Sequence, residues 1–247
     1  MRGNYMKLNS IFGFAIAAMS ISTQATAMRV PVPRIMDKNY VEELAKYMEE
    51  HSEEKELSFW EGEVVDDESE RALSDFFAQN KTLKRVIFCG AICAQTSDSI
   101  KRIINALSNS TTTYSWHFPS FHMGDERVED LVNHLITNKN VVILYLLKNG
   151  ITNKGAIHLA RLIEENSTLK SLGLPDNAIG DEGAMALVKA SQNLIVLSLK
   201  DNPITPECKE NIRKFIRDKG WPADKVLLDN GDSMSRESAA MLYAYIK

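Results

Sequence analysis

Hydrophobic residues recur along this chain in two alternating patterns. A short segment reads apolar-x-x-apolar-x-apolar, and a longer one spaces its apolar residues three and four apart. Aligned on Leu83, Thr113, Val141, Leu169 and Leu194, the short segments repeat at steps of 30, 28, 28 and 25 residues. Three residues on stand Val86, Trp116, Leu144, Leu172 and Leu197, and five on stand Phe88, Phe118, Leu146, Leu174 and Leu199. Ten on come Cys93, Met123, Ile151, Ile179 and Ile204. Alternation at period two predicts a strand. The longer segments, with Ala156, Leu159, Leu162 and Ile163 in one and Ala184, Leu187 and Val188 in another, predict one-faced helices. Thr152, Asp181 and the pair Thr205-Pro206 are expected to start helices. A fixed period in the twenties, with one strand and one helix per unit, predicts a stacked solenoid.

Eight positions into three of these units an asparagine closes the apolar run: Asn149, Asn177 and Asn202. A strand that turns sharply out of a parallel stack strands backbone donors and acceptors at the corner, and an amide side chain carries both. The three are expected to form a structural ladder, each serving its own turn and the next coil. The two units before them have Ala91 and Phe121 at that position, so the ladder should lapse there. A fainter unit is expected to start at Leu57, with Trp60 and Val65 in register.

The pattern L-x-x-L-x-L-x-x-N-x-I followed by G-x-x-x-L, seen in "VVILYLLKNGITNKGAIHLARL", "LKSLGLPDNAIGDEGAMAL" and "LIVLSLKDNPITPECKENI", resembles leucine-rich repeats of the ribonuclease-inhibitor-like subfamily. The resemblance covers Val141 to about Phe215 well and the two earlier units loosely. It implies an α/β leucine-rich-repeat solenoid, with parallel β-strands on the concave face, α-helices on the convex face and helical caps. It also implies a protein-binding scaffold, not an enzyme, that needs no cofactor. The expected organisation is a signal peptide over 1–27, an acidic helical cap with a degenerate first repeat over 28–82, repeats over 83–220 and a C-terminal cap over 221–247. Strand side chains at the second, fourth and sixth positions should line the concave face. There Ile87, Ile143, Tyr145, Leu147 and Val196 make an apolar strip, flanked by His117 and Lys200, that is expected to contact a protein partner.

Composition narrows the class. The 247 residues are 44% hydrophobic and 25% charged, enough apolar content for a sizeable core in a soluble protein. A net charge of −4 argues against nucleic-acid binding. The 14 acids and 3 bases from Asp37 to Glu70 are expected to form a solvated helix face or cap. At the N-terminus a short basic stretch, the apolar "LNSIFGFAIAAMSIS" and "ATA" before Met28 read as an export signal. That apolar run is too short to span a bilayer, which needs roughly 20 residues, so the mature chain is expected to lack a membrane span. Cleavage near Ala27 would place the protein in a periplasm or outside the cell, with a bacterial origin and action on an envelope or host as the expected setting; without it, a cytoplasmic adaptor is expected.

Candidate chemistry is sparse. Three cysteines (Cys89, Cys93, Cys208) do not make a disulfide framework. The five histidines lie in different elements, and no metal site is expected. No metalloprotease, phosphate-loop or nucleophile-elbow motif occurs. The alternative to a scaffold is an enzyme or enzyme-regulating subunit using the degenerate repeat around His117, His122 and Asp125. Lys209, Arg213 and Arg217 share a helix face expected to be solvated, and the sequons at Asn80, Asn109 and Asn166 coincide with the helix-to-strand turns.

Overall fold

The computed structural model describes residues 28–29, 36–59, 66–89 and 97–246. The leader reading and the positions of Trp60, Val65, Ala91 and Cys93 lie outside them. Eight strands form one sheet in chain order with every neighbour parallel: β1 (Met28–Arg29), β2 (Glu56–Phe59), β3 (Arg85–Phe88), β4 (Ser115–His117), β5 (Ile143–Tyr145), β6 (Ser171–Gly173), β7 (Val196–Ser198) and β8 (Val226–Leu227). Between and after them come the helices α1 (Lys38–Glu50), α2 (Asp67–Gln79), α3 (Ser97–Ser108), α4 (Gly124–Leu135), α5 (Asn153–Glu165), α6 (Asp181–Ala190), α7 (Pro206–Asp218) and α8 (Arg236–Tyr245). Strand, turn, helix, turn recurs as one coil of a leucine-rich-repeat solenoid.

The third position of each short segment pairs across the sheet: Val86 with Trp116, Trp116 with Leu144, Leu144 with Leu172 and Leu172 with Leu197. One correction falls at the N-terminal end. Leu57 pairs with Val86 and Phe59 with Phe88, so Leu57 occupies the third position of its unit and not the first. The step of 25 residues between β6 and β7 is absorbed by a shorter α6, which tightens into a 3₁₀ turn at Ser191–Asn193.

Each coil buries the inward side of its strand and one stripe of its helix. Ala156, Leu159, Leu162 and Ile163 of α5, and Ala184, Leu187 and Val188 of α6, join one continuous core with Leu144, Leu172 and Leu197. At the N-terminal end the same interior is aromatic. Phe59, Phe88 and Phe118 stack at centroid separations of 4.5 and 5.9 Å, and Phe121 packs 5.3 Å from Phe118.

The strand ends carry the asparagine ladder, with one change of direction. Asn177 Oδ1 accepts from the backbone N–H groups of Asn149 (2.9 Å) and Ile151 (3.1 Å) in the preceding coil. Its Nδ2 donates to the carbonyls of Leu146 at 2.9 Å and Leu174 at 3.0 Å. Asn149 reaches back likewise to Phe121, Met123 and Phe118, and Asn202 to Ile179 and Leu174. The amides therefore serve their own turn and the coil before it, whereas the next coil was expected. Phe121 carries no amide to reach back, but its own N–H is met by Asn149 just as that of Asn149 is met by Asn177.

The residue before each asparagine sits at positive φ: Lys148 (55°), Asp176 (53°) and Asp201 (56°), with Ser120 (54°) at the equivalent place. This left-handed step is uncommon outside glycine and is best tolerated by short polar side chains. It swings the chain out of the sheet and presents the next amide inward.

A second set of cross-coil bonds joins the helix starts. Asp125 Oδ1 accepts from Thr152 N (2.8 Å) and Gly155 N (2.9 Å), and its Oδ2 from the Thr152 hydroxyl (2.6 Å). Asn153 serves Gly180 and Gly183 in the same way, and Asp181 serves Thr205. Thr152 and Thr205 are N-caps as expected, but Asp181 is not: Gly180 holds that position and Asp181 caps the following helix. A Cβ on Gly155 would lie 2.5 Å from the Asp125 carboxylate oxygen, so only glycine admits this approach. At the corresponding Cys208, the N–H turns to the Thr205 hydroxyl instead.

Replacing Asn177 by alanine leaves the N–H groups of Asn149 and Ile151 and the Leu146 carbonyl without their partner in a buried corner, while Asn202 and Lys148 still serve the Leu174 and Pro175 carbonyls. The expected loss is about 3 kcal/mol or more of stability, measured by urea unfolding, with Asn177→Asp no better because a carboxylate cannot donate.

Candidate functional site

The inner face of the sheet is built from strand positions two and four and the residues just beyond. Their side chains alternate with the core residues and so are held in straight rows from coil to coil. At the N-terminal end the row begins with an ion pair, Arg85 to Glu56 at 2.8 Å, both partly buried. Ser115 follows, fully buried, its hydroxyl 2.8 Å from His117 Nε2. His117 lies 5.5 Å from the Tyr145 ring. Tyr145 in turn leans over the next coil, where a Cβ on Gly173 would come within 2.2 Å of its ring. Gly173 is thus the recess that lets Tyr145 lie down along the face.

Burial sets the electrostatics here. The His117 imidazole is pushed down to about 3, first by burial and then by the neighbouring Arg85 guanidinium. Burial also pushes the Tyr145 hydroxyl up to about 12. Both are neutral near pH 7, so the centre of the face is an uncharged aromatic step beside the Arg85–Glu56 pair.

Two residues of the expected apolar strip are not available on this surface. Ile143 is 3% exposed and Val196 5%. The C-terminal helix α8 turns back over the starts of the strands, and its Leu242 packs on Val142 and Ile143, with Tyr114, Ile195, Met234 and Ile246 around them. Period-two alternation places Ile143 on the inner face correctly; what it cannot reveal is that a later helix covers it. Ile87, His117, Tyr145 and Leu147 are half-buried and retain accessible surface. Lys200 is half-buried and tied down, its Nζ donating to the Asp232 carbonyl at 2.5 Å. The strip divides into a covered half at the strand starts and an open half around Tyr145 and Leu147.

The residues of the alternative, enzymatic reading are not brought together. His117 faces Ser115 and Tyr145, while the exposed His122 sits in the turn at positive φ with its carbonyl accepting from Arg127. Asp125 is committed to the start of α5. Among the described residues no group of three or more His, Cys, Asp or Glu side chains is placed to hold a metal ion. Among the same residues no helix is long and apolar enough to cross a membrane.

Other charged features are engaged within the fold. Lys209 and Arg213 both bond Asp229, holding its carboxyl below the usual range, and Arg217 pairs with Glu210. In the acidic N-terminal stretch, Asp37 and Asp66 cap α1 and α2, and Asp67 and Glu70 receive Arg102 from the next coil. Two sequon asparagines are structural: Asn80 and Asn166 accept from the N–H groups two and three residues on, and buried Asn166 also donates to Leu135 and Asn138 carbonyls. Asn109 is exposed, with its amide on the Asn105 carbonyl.

Sequence reasoning gave Asp125 a different role and passed over Asn153 and Tyr114. Asp125 and Asn153 carried a visible signal, a polar residue recurring at each helix start opposite a glycine. Tyr114 carried none, since it precedes the strand and belongs to neither alternating set.

Comparison with known proteins agrees with this architecture. A family model described as Leucine Rich repeat matches residues 165–188. The chain is 29% identical over 126 residues to the ribonuclease inhibitor of Mus musculus, covering 49% of this chain and 28% of that protein. It is 26% identical over 174 residues to the Sus scrofa ribonuclease inhibitor, covering 68% of this chain and 37% of the other. The chain thus spans well under half the length of these curated relatives. Among solved structures, leiomodin-1 actin-binding site 2 is similar at 20% identity and a TM-score of 0.36, over 49% of this chain and 70% of that one.

His117 makes the face pH-sensitive. Its folded value near 3 lies below the ordinary 6.5, so the unfolded chain binds the extra proton between those limits. The stability it permits is fully present above pH 6.5 and is lost as pH falls towards 3. At pH 5 the loss is about 2 kcal/mol. Chemical unfolding at pH 7 and 5 should show it, and His117→Gln should remove that part of the dependence.

Proposed function

We propose that this chain, a leucine-rich-repeat protein of the ribonuclease-inhibitor-like kind, is a protein-binding scaffold whose partner seats on the open half of the concave face. The observation that carries this reading is the half-buried row Ile87, His117 and Tyr145, aligned by the strand register and uncharged at its centre, with half-buried Leu147 just beyond it. An aromatic residue fixed over a glycine recess loses little freedom on binding, and tyrosine is a frequent anchor in interfaces. The helices on the other side present charged side chains that pair from coil to coil, Lys101 with Asp130 and Arg102 with Glu70, a surface suited to solvent. No catalytic constellation competes with this reading among the described residues. The ligand named in the curated relatives, a ribonuclease, is the first protein to offer it.

Export belongs to the same proposal and is supported by the composition of residues 1–27 alone: basic start, apolar middle and small residues at Ala25 and Ala27. The scaffold would then act in the periplasm or outside the cell, as a bacterial protein directed at an envelope or a host. Mass spectrometry of the protein recovered from its host should find a mature chain starting at Met28. An intact N-terminus on cytosolic protein would reject export and leave the binding surface untouched.

The binding reading is tested by affinity capture and chemical cross-linking with wild type against Tyr145→Glu. The expected result is a cross-linked partner that the variant loses at least tenfold, with its thermal transition unchanged. Equal capture by the folded variant would move the surface away from this face.

A further inference from the structure

The C-terminal helix and the surface beneath it form a small unit of their own. Leu242, with Met234 before it and Ile246 after it, packs on Val142, Ile143, Tyr114 and Ile195 in a cluster separate from the main core. Tyr114, Val142 and Ile195 hold one equivalent position, the residue just before β4, β5 and β7. Lys170 holds that position before β6, with its ammonium 5.0 Å from the centre of the Tyr245 ring. Four adjacent strands about 4.8 Å apart span roughly 14 Å. Ten helical residues cover about 15 Å. The length of α8 therefore matches the row it lies across.

The helix is suited to this seat on one side only. Ser238, Ala239 and Leu242 are buried, at helical spacing, while Met241 and Tyr245 are 56% and 55% exposed. The segment leading into it is pinned at its base. Asp232 accepts from the N–H groups of Leu228 and Asp229, Lys200 donates to the Asp232 carbonyl, and Ser235 N donates to Asp224. Beyond Ser235 the chain adds no strand to the sheet, and a helix this short is marginal alone in water. Its order depends on the row of side chains under it.

We propose that the row Tyr114, Val142, Ile143, Lys170 and Ile195 is a helix-binding groove occupied in cis by α8 as a removable strap. Its occupant in trans is an amphipathic helix with the same stripe, a small residue followed at successive turns by Leu and Ile. This deepens the scaffold reading and rests on it, because release of the strap would extend the open half of the concave face across the covered half. Ile143 and Val142 then pass from core-like burial to a continuous apolar surface with Tyr145.

The test uses the full chain and its own strap, with no foreign protein. In hydrogen exchange on wild type, the amides of α8 should exchange at least 100-fold faster than those of α5 and α6; equal protection would overturn the proposal. In the second arm, Leu242→Asp should free the groove while the repeats keep their thermal transition. A fluorescent peptide of residues 233–246 should bind this variant at least tenfold tighter than wild type, and adding Ile143→Asp should abolish the binding. A peptide that binds both proteins equally, or neither, overturns the proposal, as does collapse of the repeats on Leu242→Asp, which would make the strap part of the core. A failure here leaves capture at Tyr145 standing, and a failed capture leaves this competition intact.

Discussion

Turning a buried strand out of a parallel stack uncovers backbone N–H and C=O groups where water cannot reach them, and leaving such groups unpaired is costly. The side-chain amides of Asn149, Asn177 and Asn202 meet that need from within, each donating and accepting at once. Because each bonds two successive coils, it fixes their offset as well as closing a turn. The inward leucines then stack on one another, and the outward residues fall into rows. The aligned surface around Tyr145 is a by-product of satisfying the corner.

The two ends of the array solve the same problem with different material. Towards the C-terminus, leucine interiors and amide corners alternate with almost constant geometry. Towards the N-terminus, phenylalanines fill the interior, and ion pairs such as Arg102 with Glu70 tie adjacent helices. Aromatic side chains bury more surface per residue and prefer offset or edge-on contacts. The acidic stretch fits this end because carboxylates favour helix starts, where Asp66 caps α2 and its N–H partner holds its carboxyl below the ordinary range.

Much of this was legible in the chain before any coordinates, because strand register and helix faces are local periodicities. Val86, Trp116, Leu144, Leu172 and Leu197 could be aligned by eye, and they pair as aligned. The asparagines could be assigned to corners from their chemistry. Their direction could not, since an amide at a turn is equally able to reach forward or back. The concave strip was legible only in half. Ile143 lies buried at an outward position because a helix about a hundred residues later packs on it, and no periodicity carries that information. Leu57 was misaligned because Leu57 and Trp60 also satisfy apolar-x-x-apolar, whereas the register that pairs is carried by Leu57 and Phe59.

The backward reach of each asparagine gives the stack a chemical polarity with a consequence for biosynthesis. The corner formed by Asn149 is completed only when Asn177 arrives, and that of Asn177 is only partly served until Asn202 does. On a ribosome, which releases the N-terminal coils first, a finished turn always trails the newest one by a full repeat. Among the described residues no asparagine of a following coil accepts from Ile204, so that corner is closed from within. At Asn202 the turn folds on itself: the Ile204 N–H donates to the Asn202 carbonyl at 2.7 Å, where Ile151 and Ile179 use the side chain of the following asparagine. The ladder ends in a corner that asks nothing of a following coil.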